Sequence, residues 1–309
     1  MGALYLIVGE EGAGKTAICA GLAINLINAG KKAGYLKLKA AAKDADTSLM
    51  KKIPGLEIIA GERNAVKGRD IVLAEARIGK KAGENDSKAA YEAAKEMKAK
   101  VIAVEAFSDK TAKSIGVYKG FGESLVGAII NKVPQRLLKH TKEEVAAKYG
   151  AEGIKVLGVI PENRALLAIT VGELAECIGG KILNHAEKSG ELVENYMLGA
   201  MVVGSGLDYF GRKKNKAAVV REDRLDMQLA ALETPTSCLV LSGGNKQPAY
   251  GVLYKAESKG IPIISTETNI NDIVASIEKA LAKTAPDHEK KLAKLAETVK
   301  QNLDIKDIS

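Results

Sequence analysis

Short apolar runs rich in Val and Ile recur along this chain, each followed by a stretch with helical spacing. The first six cover residues 3–8, 33–38, 71–74, 101–104, 126–130 and 156–160, and they are apolar on successive positions rather than on alternate ones. Continuous runs of this kind are strands buried on both faces, as in a parallel sheet with crossover helices, so an α/β fold is predicted. A polar stretch, Asn184 to Asn195, breaks the rhythm, and the linker is expected there. Beyond it the rhythm restarts at 197–203, 217–220, 238–241 and 261–264, predicting a second, smaller α/β domain. After Pro286, Leu292, Leu295, Val299 and Leu303 fall on one helical face. That stripe predicts a terminal helix packed on a domain or on a second subunit. The expected boundaries are therefore 1–189, 190–285 and 286–309.

Between the first run and the helical stretch 17–28 lies Gly9-Glu10-Glu11-Gly12-Ala13-Gly14-Lys15-Thr16, which fits G-x-x-x-x-G-K-[ST] in its required strand-loop-helix setting. Glycines let backbone N–H groups curl around phosphates, the helix start adds partial positive charge, Lys15 neutralises phosphate oxygens and Thr16 offers an oxygen to magnesium. The expected ligand is a nucleoside triphosphate with Mg²⁺. Magnesium takes further oxygens from a carboxylate at the end of a neighbouring strand. Two apolar runs supply one, in Glu75 and Glu105, and order along the chain does not decide between them. Asp44 and Asp46 add carboxylates after the second run, for which capping and solvation are the alternative uses.

Composition narrows the field further. Hydrophobic residues at 46% and charged residues at 27% suit folded domains, and the absence of Trp with aromatics at 4% leaves few stacking platforms for nucleic acid. The net charge of +8 arises within residues 1–190, with 30 Lys+Arg against 22 Asp+Glu. A basic surface around a phosphate site attracts polyanions, but a solvated surface is the commoner reason for such an excess. Cys19, Cys177 and Cys238 are widely spaced among apolar neighbours, as reduced core thiols of a cytoplasmic protein would be. No run approaches the length of a membrane span.

At this level the residues resemble a known group. Gly34-Tyr-Leu-Lys37, Asp44-Ala-Asp46, Val72-Leu-Ala-Glu75, Gly127-Ala-Ile-Ile-Asn131-Lys-Val-Pro134 and Leu157-Gly-Val-Ile-Pro161-Glu162 resemble the dethiobiotin-synthetase-like P-loop domain, as found at the amino terminus of long phosphotransacetylases. Asp223-Arg224 and Ser242-Gly243-Gly244, with Gln228 to Thr234 between them, resemble the DRTGG domain. The resemblance implies ATP as nucleotide, Gly9, Gly12, Gly14, Lys15 and Thr16 around its phosphates and Asn131 at the adenine edge. It also implies Thr16, Asp46 and Glu75 at magnesium, and Lys37 beside Lys15 as a phosphate-facing or catalytic lysine. Ala76 to Lys81 replaces the glycine-rich loop that shapes the dethiobiotin synthetase substrate site, and Glu10 stands where partition-type ATPases carry a second lysine.

Two functions follow from these readings. One is a nucleotide-responsive regulatory module, in which ATP or a small anionic ligand changes the state of a homodimer or the activity of a partner. The other is an ATP-dependent enzyme of the dethiobiotin synthetase or cobyrinic acid diamide synthase type, phosphorylating a small carboxylate or carbamate. A complete phosphotransacetylase is not expected in this polypeptide. For the second domain, an anion at Ser242-Gly243-Gly244 competes with a plain tight turn, and Asp223 is expected to cap the helix carrying Leu225, Leu229 and Leu232.

Overall fold

The computed structural model describes residues 2–38, 45–61, 65–108, 111–112, 115–200, 204–244, 247–283 and 288–303. Two compact units emerge, Met1–Asn163 with Pro286–Ser309, and Arg164–Ala285. In unit 1 the strands are β1 (Ala3–Gly9), β2 (Ala33–Lys37), β3 (Glu57–Ile58), β4 (Ile71–Arg77), β5 (Lys100–Ala106), β6 (Leu125–Val133) and β7 (Val156–Pro161). They pair in the order β3-β2-β4-β1-β5-β6-β7, all parallel. Helices α1 (Lys15–Asn28), α2 (Ala45–Met50), α3 (Asn85–Glu96), α4 (Ile115–Lys119), α5 (Leu138–His140) and α6 (Ala146–Ala151) complete the crossovers, with a π-helical turn at Thr141–Val145. All six predicted apolar runs of this unit are strands. β1 is buried from Leu4 to Gly9, because β4 and β5 flank it and helices cover the sheet. β2 to β4 lie on one side of it and β5 to β7 on the other, which leaves a crevice at its carboxyl end.

Unit 2 contains α7 (Arg164–Leu167), β8 (Ile169–Thr170), α8 (Val171–Cys177), β9 (Lys181–Ile182), β10 (Leu192–Val193) and β11 (Asn195–Leu198), then α9 (Gly206–Gly211), β12 (Lys216–Arg221), α10 (Leu225–Leu232), β13 (Thr236–Ser242), α11 (Tyr250–Lys259), β14 (Ile263–Thr266) and α12 (Ile270–Lys283). Its sheet runs β11-β12-β13-β14-β9, parallel except for β9. Side chains alternate between two cores: Ala217 and Val219 face α8 and α12, while Ala218 and Val220 face α9, α10 and α11. The polar stretch 184–195 lies inside this unit, and the division falls at Asn163/Arg164, upstream of the linker the sequence suggested. Asn184 shows why: its Oδ1 accepts from Ile263 N at 2.7 Å and its Nδ2 donates to Ile261 O at 3.2 Å. Polarity there pins a sheet edge.

The last helix, α13 (Glu289–Asn302), belongs to unit 1. Leu292, Leu295, Val299 and Leu303 are all buried. A Cβ on Gly21 of α1 would stand 2.4 Å from Val299 Cγ2, so this glycine is what lets the two helices approach. Asn25 Nδ2 donates to Ala296 O at 2.8 Å across the same contact. With the sheet on one side and α13 on the other, α1 is apolar nearly all round. Among the described residues no helix is long and apolar enough to cross a membrane.

Candidate nucleotide site

The loop between β1 and α1 depends on two glycines in the left-handed region, Gly12 at φ +75° and Gly14 at φ +90°. At Gly14 a Cβ would also lie 2.3 Å from Asn131 Nδ2, and at Gly9 it would lie 2.4 Å from Val104 O. The backbone is thus held close to β5 and β6, leaving its other side to a ligand. Lys15 Nζ donates to the carbonyls of Gly9 at 3.2 Å and Glu10 at 2.9 Å. Burial lowers its pKa, and the Glu75 carboxylate opposes that shift.

Both acid-bearing strands flank β1, which is the physical reason that chain order left Glu75 and Glu105 level. Their side chains separate them. Thr16 Oγ1 donates to Glu75 Oε2 at 3.0 Å, and the Tyr35 hydroxyl donates to Glu75 Oε1 at 2.9 Å. Burial raises the Glu75 pKa, while the hydrogen bonds from Tyr35 and Thr16 act against it. Glu105, also buried, accepts instead from the Tyr149 hydroxyl. It faces the phenols of Tyr118 and Tyr149, whose pKa values rise first through burial and then through its charge. Lys37 Nζ pairs with Asp46 Oδ2 at 2.5 Å, in register with Glu75 on the next strand. Asp44 lies outside the described residues. No group of three or more His, Cys, Asp or Glu side chains suited to a metal ion occurs among the described residues.

Asn131, two residues before the end of β6, lies against the loop. Its Nδ2 donates to Ala13 O at 2.9 Å and its Oδ1 accepts from Lys132 N at 2.9 Å. This amide braces the P-loop, a role the sequence did not suggest. Lys132, not singled out from the sequence, takes φ +60° and donates from Nζ to Gly12 O at 2.8 Å. Its only sequence signal is its place directly after Asn131. Glu11, within the P-loop motif, pairs with Arg77 at 2.9 Å on an exposed surface.

In unit 2 a cleft of about 760 Å³ opens at the carboxyl ends of β12, β13 and β14, lined among others by Arg221, Asp223, Gly243 and Asn269. Of the two readings of Ser242-Gly243-Gly244, the turn fits better than the anion site, because Gly243 N donates to Thr268 O at 3.2 Å and Gly244 N to Thr266 O at 3.3 Å. Asp223 is not the helix cap: Arg224 holds the N-cap position, and Asp223 pairs with Arg221 at 2.5 Å. Of the leucines expected inside α10, Leu232 is buried, whereas Leu225 and Leu229 are exposed.

Comparison with known proteins agrees with this two-part architecture. The model of the CobQ/CobB/MinD/ParA nucleotide binding domain matches residues 5–173, and that of the DRTGG domain matches residues 173–280. A phosphate acetyltransferase of Synechocystis sp. is 24% identical over 162 residues, covering 50% of this chain and 23% of that protein. Another, from Nitratidesulfovibrio vulgaris, is 25% identical over 183 residues, covering 55% and 26%. The chain thus spans about a quarter of the length of these relatives. Among solved structures, the MinD cell division protein of Aquifex aeolicus aligns at 16% identity and TM-score 0.41, over 53% of this chain and 84% of that one. The CBS and DRTGG domains of the Clostridium perfringens pyrophosphatase regulatory region, complexed with diadenosine tetraphosphate, align at 16% identity and TM-score 0.34, over 52% and 76%.

Proposed function

Because the chain belongs to the CobQ/CobB/MinD/ParA nucleotide-binding domain family, we propose that Gly9 to Thr16 hold the phosphates of Mg-ATP and that the protein is a nucleotide-responsive regulatory module. The observation that carries this reading is the Thr16–Glu75 contact at 3.0 Å. A hydroxyl and a carboxylate at the end of the P-loop are the hard oxygen donors that magnesium takes beside phosphate. The loop also fits the group sterically, since Gly14 has neither the φ nor the space for a side chain. Lys15 would meet phosphate oxygens in exchange for the two carbonyls it now contacts, and Asp46 would join Glu75 on the metal side. Within the family, the set Lys37, Asp46 and Glu75 supports the dethiobiotin-synthetase-like branch.

Calorimetric titration of the Glu75→Gln and Glu105→Gln variants with ATP, with and without Mg²⁺, tests the assignment. Glu75→Gln is expected to lose the magnesium-dependent part of the affinity and Glu105→Gln to keep it. The reverse pattern refutes the site. A second reading, ATP-dependent phosphorylation of a small carboxylate or carbamate, is favoured by the Lys37–Asp46 pair, which adds a cation next to the P-loop. ADP release that accelerates with such acceptors would select the enzyme, and tight binding without turnover the regulatory module.

A further inference from the structure

Large apolar side chains that remain exposed among the described residues concentrate on one face of unit 2. Leu207 on α9 is 55% exposed, Leu225 and Leu229 on α10 are 46% and 40%, and Tyr250 and Tyr254 on α11 are 82% and 62%. The three helices are neighbours, with α10 in the middle. The pairs on α10 and α11 are each spaced i, i+4, so Leu225 and Leu229 form one ridge and Tyr250 and Tyr254 another. The tyrosine rings stack at 6.2 Å between centroids, which holds both in one orientation. The inward sides of the same helices are spent on the sheet through Phe210, Met227, Leu232 and Val252. The outward ridges therefore play no part in the unit's own core.

We propose that this face is the interface through which two copies of the chain associate about a twofold axis. Its charges favour a like partner: Arg224 pairs with Asp226, and Lys255 and Lys259 both pair with Glu233. These named rim charges thus nearly cancel within one protomer, leaving one net positive charge, too small a field to recruit a strongly charged partner or to keep two copies apart. Area points the same way. At roughly 200 Å² for a buried tyrosine, the two rings present about 300 Å² per protomer. A symmetric pair would bury about 600 Å² from tyrosine alone, half of the ~1,200 Å² at which stable interfaces begin. The three leucines and the aliphatic stems of Lys255 and Lys259 supply further area. Two ridges with a groove between them suit isologous packing, in which each ridge of one copy enters the groove of the other. The proposal is independent of whether unit 1 binds Mg-ATP.

Light scattering and sedimentation of the full chain, without nucleotide, test it. The wild-type chain is expected to be a dimer at ~10 μM, and Leu229→Asp with Tyr254→Asp to be a monomer with unchanged circular dichroism and melting behaviour. A milder variant, Tyr250→Ser with Tyr254→Ser, guards against misfolding and is expected to raise the dimer dissociation constant at least tenfold. A wild-type chain that stays monomeric to ~50 μM, or a dimer unaffected by the folded variants, overturns the proposal.

Discussion

Lys15, half-buried, and Lys216, fully buried, are two lysines with opposite prospects. Lys15 sits in a loop whose carbonyls it holds, and phosphate would replace those neutral partners by charged ones. A charge-assisted contact is worth about 1.5–3 kcal/mol, so Lys15→Ala should weaken Mg-ATP binding about 10- to 100-fold by calorimetry, and unchanged affinity would mean that the loop is only a turn. Lys216, at the start of β12, is fully buried, and its Nζ donates to Pro235 O at 2.8 Å and Lys213 O at 3.2 Å. Burial pushes its pKa down to about 8. Between that value and the ordinary lysine value of about 10.4, the unfolded chain binds one proton more than the folded one, so this group's contribution makes stability rise with pH. Below pH 8 both states are protonated and the contribution is flat. Urea unfolding between pH 7 and 10 should show the wild type gaining on Lys216→Met above pH 8; parallel curves would remove the assignment. The P-loop was legible because spacing alone defines it. Glu75 was named by the resemblance, while from the residues alone it stood level with Glu105, because both strands flank β1 and only side-chain direction separates the two acids; Asn131 as a brace needed the loop in place.

At the level of elements, every predicted apolar run overlaps a strand, although the run 197–203 meets β11 only at Met197 and Leu198, because a strand buried on both faces has no polar positions to disguise it. The two-residue strands β3, β8, β9 and β10 left no trace in the pattern, being too short for any periodicity. α13 was legible as an amphipathic helix, but not its partner, since an apolar stripe records that it is covered and not by what. The glycine at Gly21 is the missing half of that information. Removing residues 286–309 should expose the outer side of α1 and destabilise unit 1, read as a lower melting temperature and increased binding of a hydrophobic dye. A truncated chain that melts like the full one would show that the α1–α13 contact contributes little.

For the molecule as a whole, two separate cores predict two calorimetric transitions, one for each unit. Saturating Mg-ATP should raise only the transition of unit 1, by about 2.7 kcal/mol at a hundredfold excess over the dissociation constant. An equal rise in both would mean that the units unfold together. The return of the chain to unit 1 has another consequence, in the order of synthesis. β1 to β7 leave the ribosome first, yet the helix that covers α1 is translated only after all of unit 2. Until then the nascent P-loop domain carries an uncovered apolar helix, a surface on which a chaperone can act. Of the two units, the nucleotide domain is therefore begun before the other and finished after it.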